Sequence, residues 1–350
     1  MLDEQQVRDL VNEHGAIVNQ GRPIKQIIAD GDIPRLNAAT VLEGKVSDSV
    51  FRDDLLTREG QPIRLMFRNN RISTHDINRG AIPFKDQVLA FNHDHMLMLV
   101  KEVLGSSQFK VEGLLPSSTV IPAENLKLIM LENVLRLYMA ESSTSTSLYQ
   151  HWLAAKEKGK EMLNYAGHSV TISSLKPNGV LPYLMDTPST KDEVDKTTDV
   201  QFLIDAGICS WDQYVQIRNA SIMAFGLVSQ YLSTKGMVLV DTKTEHGINA
   251  YGRIVSADEL YTMDSSRFWK KDDEGRLMTR EGKPVSFSKE FARGMVKEKN
   301  QQFTDEQANE IAVRYIQGLQ HITGEAFDPD LRPRDERIVD SANLILDSLL

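Results

Sequence analysis

The chain has a single cysteine, Cys209, among 350 residues, so no disulfide can form within it. Such cysteine usage suits a reducing compartment. Cys209 lies in Ala-Gly-Ile-Cys-Ser-Trp, ahead of a predicted helix, and reads as a buried small hydrophobe rather than a nucleophile. Long apolar runs are missing too. The nearest, residues 96–104, is interrupted by Lys101 and Glu102, so no membrane partner is expected. The opening Met1-Leu2-Asp3-Glu4-Gln5-Gln6 lacks the basic and apolar regions of a signal peptide, and the expected location is cytoplasmic. Positive charge is in deficit: 40 Lys and Arg against 49 Asp and Glu give a net charge of −9. That balance argues against non-specific nucleic-acid binding, while a local basic pocket for anionic substrates stays open. The 41% hydrophobic and 25% charged content is that of a soluble globular chain, long enough for one large domain or two lobes. There is no internal repeat, and nothing fixes the oligomeric state, so a homo-oligomer stays open.

Helix-like spacing of Leu2, Val7, Leu10 and Val11, then breakers at Gly15, Gly21 and Pro23, marks residues 1–38 as a helical extension. Residues 39–131 are strand-rich. Thr40 to Phe51 reads as two strands around a bend at Gly44, and Ile63 to Phe67 as a third. Residues 86–104 read as a helix, and Leu126 to Tyr138 as a strand crossing between lobes. Residues 139–200 look loop-rich. A long helix is predicted from Trp211 to Lys235, stopped by Gly236, followed by a buried strand over Met237 to Asp241 and another over Gly252 to Ser256. Thr304 is the expected cap of a helix over Asp305 to Ile322, with Gly324 its stop. An apolar helix near Ile338 to Leu350 ends the chain.

Five groups of residues could carry chemistry. In Asp241-Thr242-Lys243-Thr244-Glu245-His246-Gly247, strand alternation sends Asp241, Lys243 and Glu245 to one face. That face is either a solvated hairpin edge or a metal and phosphate site. Asp258 follows the neighbouring strand; if the two strands pair, Asp258 approaches Glu245, and a magnesium ion would relieve their repulsion. Asp264-Ser265-Ser266-Arg267-Phe268-Trp269 sets an arginine among hydroxyls, either to grip a phosphate or to cap a turn. Glu43-Gly44-Lys45 is a surface hairpin or a cover for nucleotide phosphates, and it lacks the Walker spacing. The cluster Ser142 to Ser147 reads as a surface loop or as a phosphate cradle. His93 and His95 sit two apart on a helix and point apart, so zinc is not expected there.

In order, these segments resemble the phosphoribosylaminoimidazole-succinocarboxamide synthase (SAICAR synthetase) family over residues 40–324. Glu43 to Asp48 is similar to the family's Glu-Gly-Lys-Val-Arg-Asp, and Asn70 to Asp76 to its Asp-Arg-Ile-Ser-Ala-Phe-Asp. Glu132 to Tyr138 resembles Glu-Val-Val-Val-Arg-Gly-Tyr, and Thr187-Pro188-Ser189-Thr190-Lys191 resembles the Thr-Pro-Ser/Thr-Thr-Lys loop. Asp241 to Gly247 and Asp258 to Trp269 resemble Asp-Thr-Lys-Phe-Glu-Phe-Gly and Asp-Glu-Val-Leu-Thr-Pro-Asp-Ser-Ser-Arg-Phe-Trp. Ser286 to Arg293 fits the segment that follows.

The resemblance implies a two-lobed α+β fold with an ATP cleft. A helical extension (1–38) would precede an ATP-covering lobe (39–131) and a larger lobe carrying the metal and ribotide sites (132–350). It implies a ligase that uses ATP and Mg2+ to join L-aspartate to carboxyaminoimidazole ribotide, through an acyl phosphate. Lys45, Glu132, Glu245 and Asp258 would bind the nucleotide, with Glu245 and Asp258 at magnesium. Arg136, Ser147, Lys191, Ser266 and Arg267 would bind substrate, Ser147 being preferred over Ser142 for the ribotide phosphate. Lys243 and Asp264 would be catalytic. The family's Ile-Pro-Gly-Lys-Gly is Ile82-Pro83-Phe84-Lys85-Asp86 here, so Lys85 is left without a clear role and a changed loop backbone is expected. Leu137 also replaces the glycine of Arg-Gly-Tyr. These departures motivate an alternative, an inactive nucleotide-binding homologue with a regulatory role. A kinase-like phosphotransferase is disfavoured by the lack of a His-Arg-Asp-type loop.

Overall fold

The computed structural model describes residues 1–74, 77–191 and 197–350, so His75 and Asp76 of the Asn70–Asp76 motif lie outside it. The fold is α+β. Helices α1 (Glu4–Val18) and α2 (Ile24–Ala29) lead into strands β1 (Thr40–Glu43), β2 (Ser47–Leu56) and β3 (Pro62–Arg68). A ribbon of β4 (Arg71–Thr74) and β5 (Ile77–Ala81) precedes α3 (Lys85–Leu104), then β6 (Val120–Glu124) and β7 (Lys127–Tyr138). Next come α4 (Leu148–Glu157), β8 (Met162–Tyr165), β9 (His168–Thr171), β10 (Val180–Asp186) and β11 (Ser189–Thr190). Helices α5 (Val200–Asp205) and α6 (Trp211–Ser233) are followed by β12 (Met237–Ile248), β13 (Ile254–Ala257) and β14 (Ser266–Lys270). The chain ends through β15 (Thr279–Arg280), β16 (Lys283–Pro284), β17 (Ser286–Phe287), α7 (Glu290–Gly294), α8 (Asp305–Thr323) and α9 (Arg334–Leu349).

Two antiparallel sheets organise the molecule. The first has the order β1-β2-β3-β6; the second runs β10-β7-β12-β14-β17, with β11 on β7 and β13 on β12. The chain passes between them at Asn125 and Leu126, from the end of β6 to the start of β7. Behind the second sheet, Val88 and Val100 of α3, Val228 and Leu232 of α6, and Ile311 and Ile316 of α8 form a core with Leu239 and Phe268. The first sheet is covered differently. Ile24, Ile27 and Ile28 of α2 and Ile338, Ile345 and Leu346 of α9 share one core with Val50, Ile63, Leu65 and Phe67. Helices α2 and α9, from opposite ends of the sequence, therefore close on the same sheet, while α1 packs through Val7, Val11 and Val18 into the core behind the second sheet.

Local signals account for most boundaries. Ser210 with Gln213, and Thr304 with Gln307, make reciprocal capping boxes that start α6 and α8. Gly324 ends α8 at φ +79°, a left-handed stop. Cys209 is buried, as its sequence context predicts. One expectation needs correction. Residues 139–191 carry more structure than a loop-rich reading suggests: Ser147 caps α4, and Trp152, Leu163, Tyr165 and Val170 build a small core around the β8–β9 hairpin. The strand alternation expected through Asp241, Lys243 and Glu245 is found: β12 runs on to Ile248, because β7 and β13 flank it there and satisfy its backbone.

The altered loop before α3 is accommodated within the fold. Phe84 adopts φ +62°, a left-handed conformation that glycine takes freely and that costs another residue about 1–2 kcal/mol. Asp86 and Arg337 are both fully buried and pair at 3.0 Å. Arg337 also donates to the Ser117 carbonyl at 2.9 Å, so α9 is pinned to the start of α3.

A second cluster steadies the loop after β10. Asp186 accepts from Tyr214 Oη at 2.6 Å and Arg218 Nε at 2.7 Å, both on α6. His168 Nε2 lies 3.4 Å from the Asp186 carboxylate and 2.7 Å from its carbonyl oxygen, while Nδ1 meets the Tyr183 hydroxyl at 3.1 Å. Burial alone would push Asp186 up, but His168, Tyr214 and Arg218 outweigh it and hold the carboxyl well below its ordinary range. The bond to Asp186 raises His168 above 6.5 against the opposing cost of burial.

Removing one partner of a buried pair strands the other charge. Asp86→Ala and Arg337→Met should each destabilise by about 3–5 kcal/mol in urea unfolding. The double variant should lose less than the sum. The His168–Asp186 contact has the opposite pH sense from an ordinary carboxylate pair. Because folding raises His168, its stabilisation is complete below 6.5 and fades as pH climbs through the higher folded value. His168→Gln should therefore lower the melting temperature at pH 6, by about 1 kcal/mol equivalent for this partly exposed group, and have little effect at pH 9.

Candidate active site

The pairing of β7 with β12 builds the floor of the site. Register places Asp241 opposite Arg136, Lys243 opposite Val134 and Glu245 opposite Glu132. On the other side of β12, Asp241 faces Arg267 of β14, and Glu245 faces Ala257 of β13. Alternation then presents these charged side chains on one face. Asp258, one residue past Ala257, turns left-handed at φ +58°. The two strands do pair, as the approach of Asp258 to Glu245 requires.

Two adjoining cavities open above this floor, of about 230 and 420 Å³. Arg136, Ser142, Ser147, Ser266 and Arg267 line the smaller, together with Asp241. Lys45, Lys191, Glu245 and Asp258 line the larger, whose walls include Met66, Ala123, Leu126 and Leu128. Glu132, Lys243, Asp264 and Lys289 line both. Every residue given a nucleotide, substrate, metal or catalytic role from the sequence thus falls on one cavity or the other. Lys191, expected at the substrate, lies on the larger one. The choice between Ser142 and Ser147 stays open geometrically: both line the smaller cavity, and Ser147 also caps α4.

Asp241 is the residue that sequence reasoning undervalued. It is buried between two guanidinium groups: Arg136 Nη1 donates to Oδ2 at 3.0 Å and Arg267 Nε to Oδ1 at 2.9 Å. Arg267 Nη2 makes a further short contact. Arg136 Nε also donates to Thr187 Oγ1 at 3.0 Å, in the loop that Asp186 steadies. Burial pushes Asp241 up, and Arg267 and Arg136 pull it below the ordinary carboxylate value. Its strand position was visible in the sequence; its two partners depend on register.

At the larger cavity the charges interlock. Lys191 pairs closely with Glu245, and Lys243 pairs closely with Glu132 while lying 3.4 Å from Glu245. Ser189 Oγ donates to Glu132 at 3.1 Å. Burial lowers the affinity of Lys243 for its proton, but Glu245 and Glu132 more than reverse this, so it stays an ammonium. Asp258 is pushed above its ordinary value, first by burial and then by the nearby Glu245 charge. Among the described residues no group of three or more His, Cys, Asp or Glu side chains is arranged to hold a metal ion. The Glu245–Asp258 pair is a two-carboxylate donor set, which suits a cation whose remaining positions are filled by phosphate oxygens and water.

Asp264 is deeply buried and held by three groups. Lys85 lies 2.8 Å from Oδ2, Lys289 3.8 Å from the same atom, and Tyr315 Oη donates to Oδ1 at 2.5 Å. Burial would raise Asp264, but Lys85 and Lys289 hold it well below the ordinary range. Lys85, left unassigned from the sequence, is fully buried and serves as the counter-charge of Asp264. The two histidines of α3 have separate partners. His93 Nδ1 accepts from the Leu260 amide at 2.9 Å, and His95 meets Tyr231 Oη at 2.8 Å.

Comparison with known proteins agrees with this geometry. The family model for SAICAR synthetase matches residues 41–310. The phosphoribosylaminoimidazole-succinocarboxamide synthase of Cytophaga hutchinsonii is 30% identical over 311 residues, covering 85% of this chain and 92% of that protein. The Legionella pneumophila (strain Lens) enzyme of the same name is 29% identical over 300 residues, covering 83% and 90%. Among solved structures, the SAICAR synthase from Saccharomyces cerevisiae complexed with SAICAR shares the fold at a TM-score of 0.66 and 20% identity, covering 83% of this chain and 96% of that one. A type-2 SAICAR synthetase in complex with ADP aligns at 0.59 and 21% identity, covering 83% and 100%. The chain belongs to the SAICAR synthetase family.

Proposed function

We propose that this chain is an ATP-dependent amide ligase that joins L-aspartate to carboxyaminoimidazole ribotide, giving SAICAR, ADP and phosphate in purine biosynthesis. The observation that carries the reading is the pair of adjoining cavities, one with a double guanidinium clamp and one with a lysine-rich, carboxylate-bearing floor, joined at Lys243. ATP takes the larger cavity. Its base lies against Met66, Ala123, Leu126 and Leu128, and its phosphates reach Lys45, Lys191 and Lys243. The ribotide takes the smaller, its phosphate on Arg136 and Arg267 with Ser142, Ser147 and Ser266 supplying hydroxyls. The division into an extension (1–38), a nucleotide-covering lobe (39–131) and a larger lobe (132–350) is part of the proposal, with α9 returning to cover the first sheet.

Glu245 and Asp258 would hold magnesium, which neutralises phosphate charge when bound. The ion would also lower the cost of keeping two buried carboxylates together, the cost that raises Asp258. Lys191 and Lys243 already engage Glu245, so they would share it with the ion or swing to the phosphates. Catalysis is mostly positioning and charge stabilisation. Glu132 orients Lys243, and Lys243 faces the acceptor carboxylate where the cavities join. Asp264, ionised and buried, fixes the positive groups around that junction. The cytoplasm is the proposed compartment; among the described residues no helix is long and apolar enough to cross a membrane.

The inactive-homologue reading rested on the altered loop. Phe84 adopts a left-handed backbone in a packed loop and Asp86 has a buried partner, so the loop is well held and does not favour it.

Purified protein supplied with ATP, magnesium, L-aspartate and the carboxylated ribotide should form ADP and the succinocarboxamide together; nucleotide binding without product would overturn the proposal. Asp258→Asn should cut turnover by about 100-fold or more, with a steeper magnesium requirement. Arg267→Ala should raise KM for the ribotide by about 10- to 100-fold, as expected for a lost charge-assisted contact, with KM for ATP little changed. Asp241→Asn should mimic it more weakly, because the guanidiniums stay but lose the carboxylate that aligns them.

A further inference from the structure

Four side chains line both cavities, and the sequence reading assigned roles to three of them: Glu132, Lys243 and Asp264. The fourth, Lys289, had none. It sits between β17 and α7, and its backbone amide donates to the Met263 carbonyl at 3.0 Å, which ties it beside Asp264. Its side chain is only 16% exposed. Lys289 is not needed to neutralise Asp264. Lys85 does so at 2.8 Å and Tyr315 donates to the other oxygen, whereas Lys289 stands off at 3.8 Å, beyond hydrogen-bonding distance. A cation held near, but not on, its carboxylate and open to both cavities is placed for an anion that spans them.

We propose that Lys289 is a catalytic residue of the phosphoryl-transfer step, its ammonium contacting the ribotide carboxylate and the phosphoryl group passing to it. This rests on the ligase reading given above. In that step a carboxylate oxygen bonds to the γ-phosphorus of ATP as the bond from that phosphorus to the bridging oxygen breaks, and ADP leaves. The aspartate amine then forms the carbon–nitrogen bond, and its proton departs with the phosphate as hydrogen phosphate. Negative charge gathers at the junction in the first step and leaves in the second. Lys243 shares its charge with Glu132 and Glu245; among the described residues the one ion pair of Lys289 is the long contact to Asp264. Burial holds Lys289 below its ordinary value, with Asp264 offsetting this in part, and an arriving anion would push it back up. Its electrostatic gain on binding charge at the junction is correspondingly larger.

Steady-state kinetics with all three substrates tests this. Lys289→Met should lower kcat by about 100-fold while KM for ATP and for the ribotide stay within about threefold, the pattern for an interaction made in the transition state. Ethylamine added to Lys289→Ala should restore part of the lost kcat. If Lys289→Met fails to fold by circular dichroism, Lys289→Arg, which keeps the charge but shifts its position, should fold and still lose about 10-fold in kcat. A kcat within fivefold of wild type, or a loss seen only in ribotide KM, overturns the assignment of Lys289 and leaves the ligase reading intact. A wild-type chain that makes no product overturns the ligase reading itself and this inference with it.

Discussion

The register between β7 and β12 decides where every charge in the site lies. Sliding β12 by one residue would send Asp241, Lys243 and Glu245 to the opposite face, where Thr242, Thr244 and His246 now are. In the observed register each charge meets its complement or its rival. Asp241 falls between Arg136 and Arg267, and Glu245 falls opposite Glu132 with Lys243 and Lys191 between their carboxylates. The double-guanidinium clamp and the acidic corner come from a single strand, β12, whose neighbours supply the partners. The helices behind the sheet, α3, α6 and α8, keep that strand flat against its neighbours by burying the other side in apolar contact.

Burying so much charge is costly, and the structure meets the cost by pairing rather than by exposure. Asp241 has two arginines, Asp264 has Lys85 and Tyr315, and Lys243 has Glu132 and Glu245. What remains uneven is informative. Asp258 and Glu259 are both pushed above their ordinary values, chiefly by burial and by neighbouring carboxylates. Lys289 is pushed down by burial. The first imbalance asks for a cation and the second for an anion. A nucleotide carrying its magnesium into the larger cavity, with an acceptor carboxylate at the junction, satisfies both. These perturbed groups lie on the two cavities that the fold brings together, which is where a reaction involving charged substrates needs them.

Much of this was legible in the sequence where the signal is local. The Thr304 cap and the Gly324 stop of α8 read directly, as did the alternation that puts Lys243 and Glu245 on one face. The motif order gave the family. What could not be read depends on contacts distant in sequence. The role of Asp241 needs Arg136, 105 residues away, and Arg267, 26 away, in register. The duty of Lys85 needs Asp264, and the junction position of Lys289 needs both cavities at once. The stretch 139–200 misread as loop because its elements are short and its core is small, so no long periodic pattern marks it. The contact of Lys191 with Glu245 was not legible either, because the strand order that carries its loop past Glu245 is a tertiary fact.

The clearest departure from the family pattern is held by contacts distant in sequence. A glycine before α3 would permit a left-handed turn at no steric cost. Phe84 makes a left-handed turn at some cost and buries its ring against Phe327, with centroids 5.8 Å apart, so packing offsets backbone strain. Asp86 would be an unpaired buried charge on its own, but Arg337 from α9 reaches it. Both compensating residues, Phe327 and Arg337, come from beyond residue 310, where the family match ends. The C-terminal segment is therefore not an appendage. It supplies the side chains that let the altered loop hold Lys85 against Asp264, and through Asp264 it reaches the junction of the two cavities. A motif read in isolation suggests a damaged site; with its distant partners included, it describes a left-handed turn held by Phe327 and Arg337.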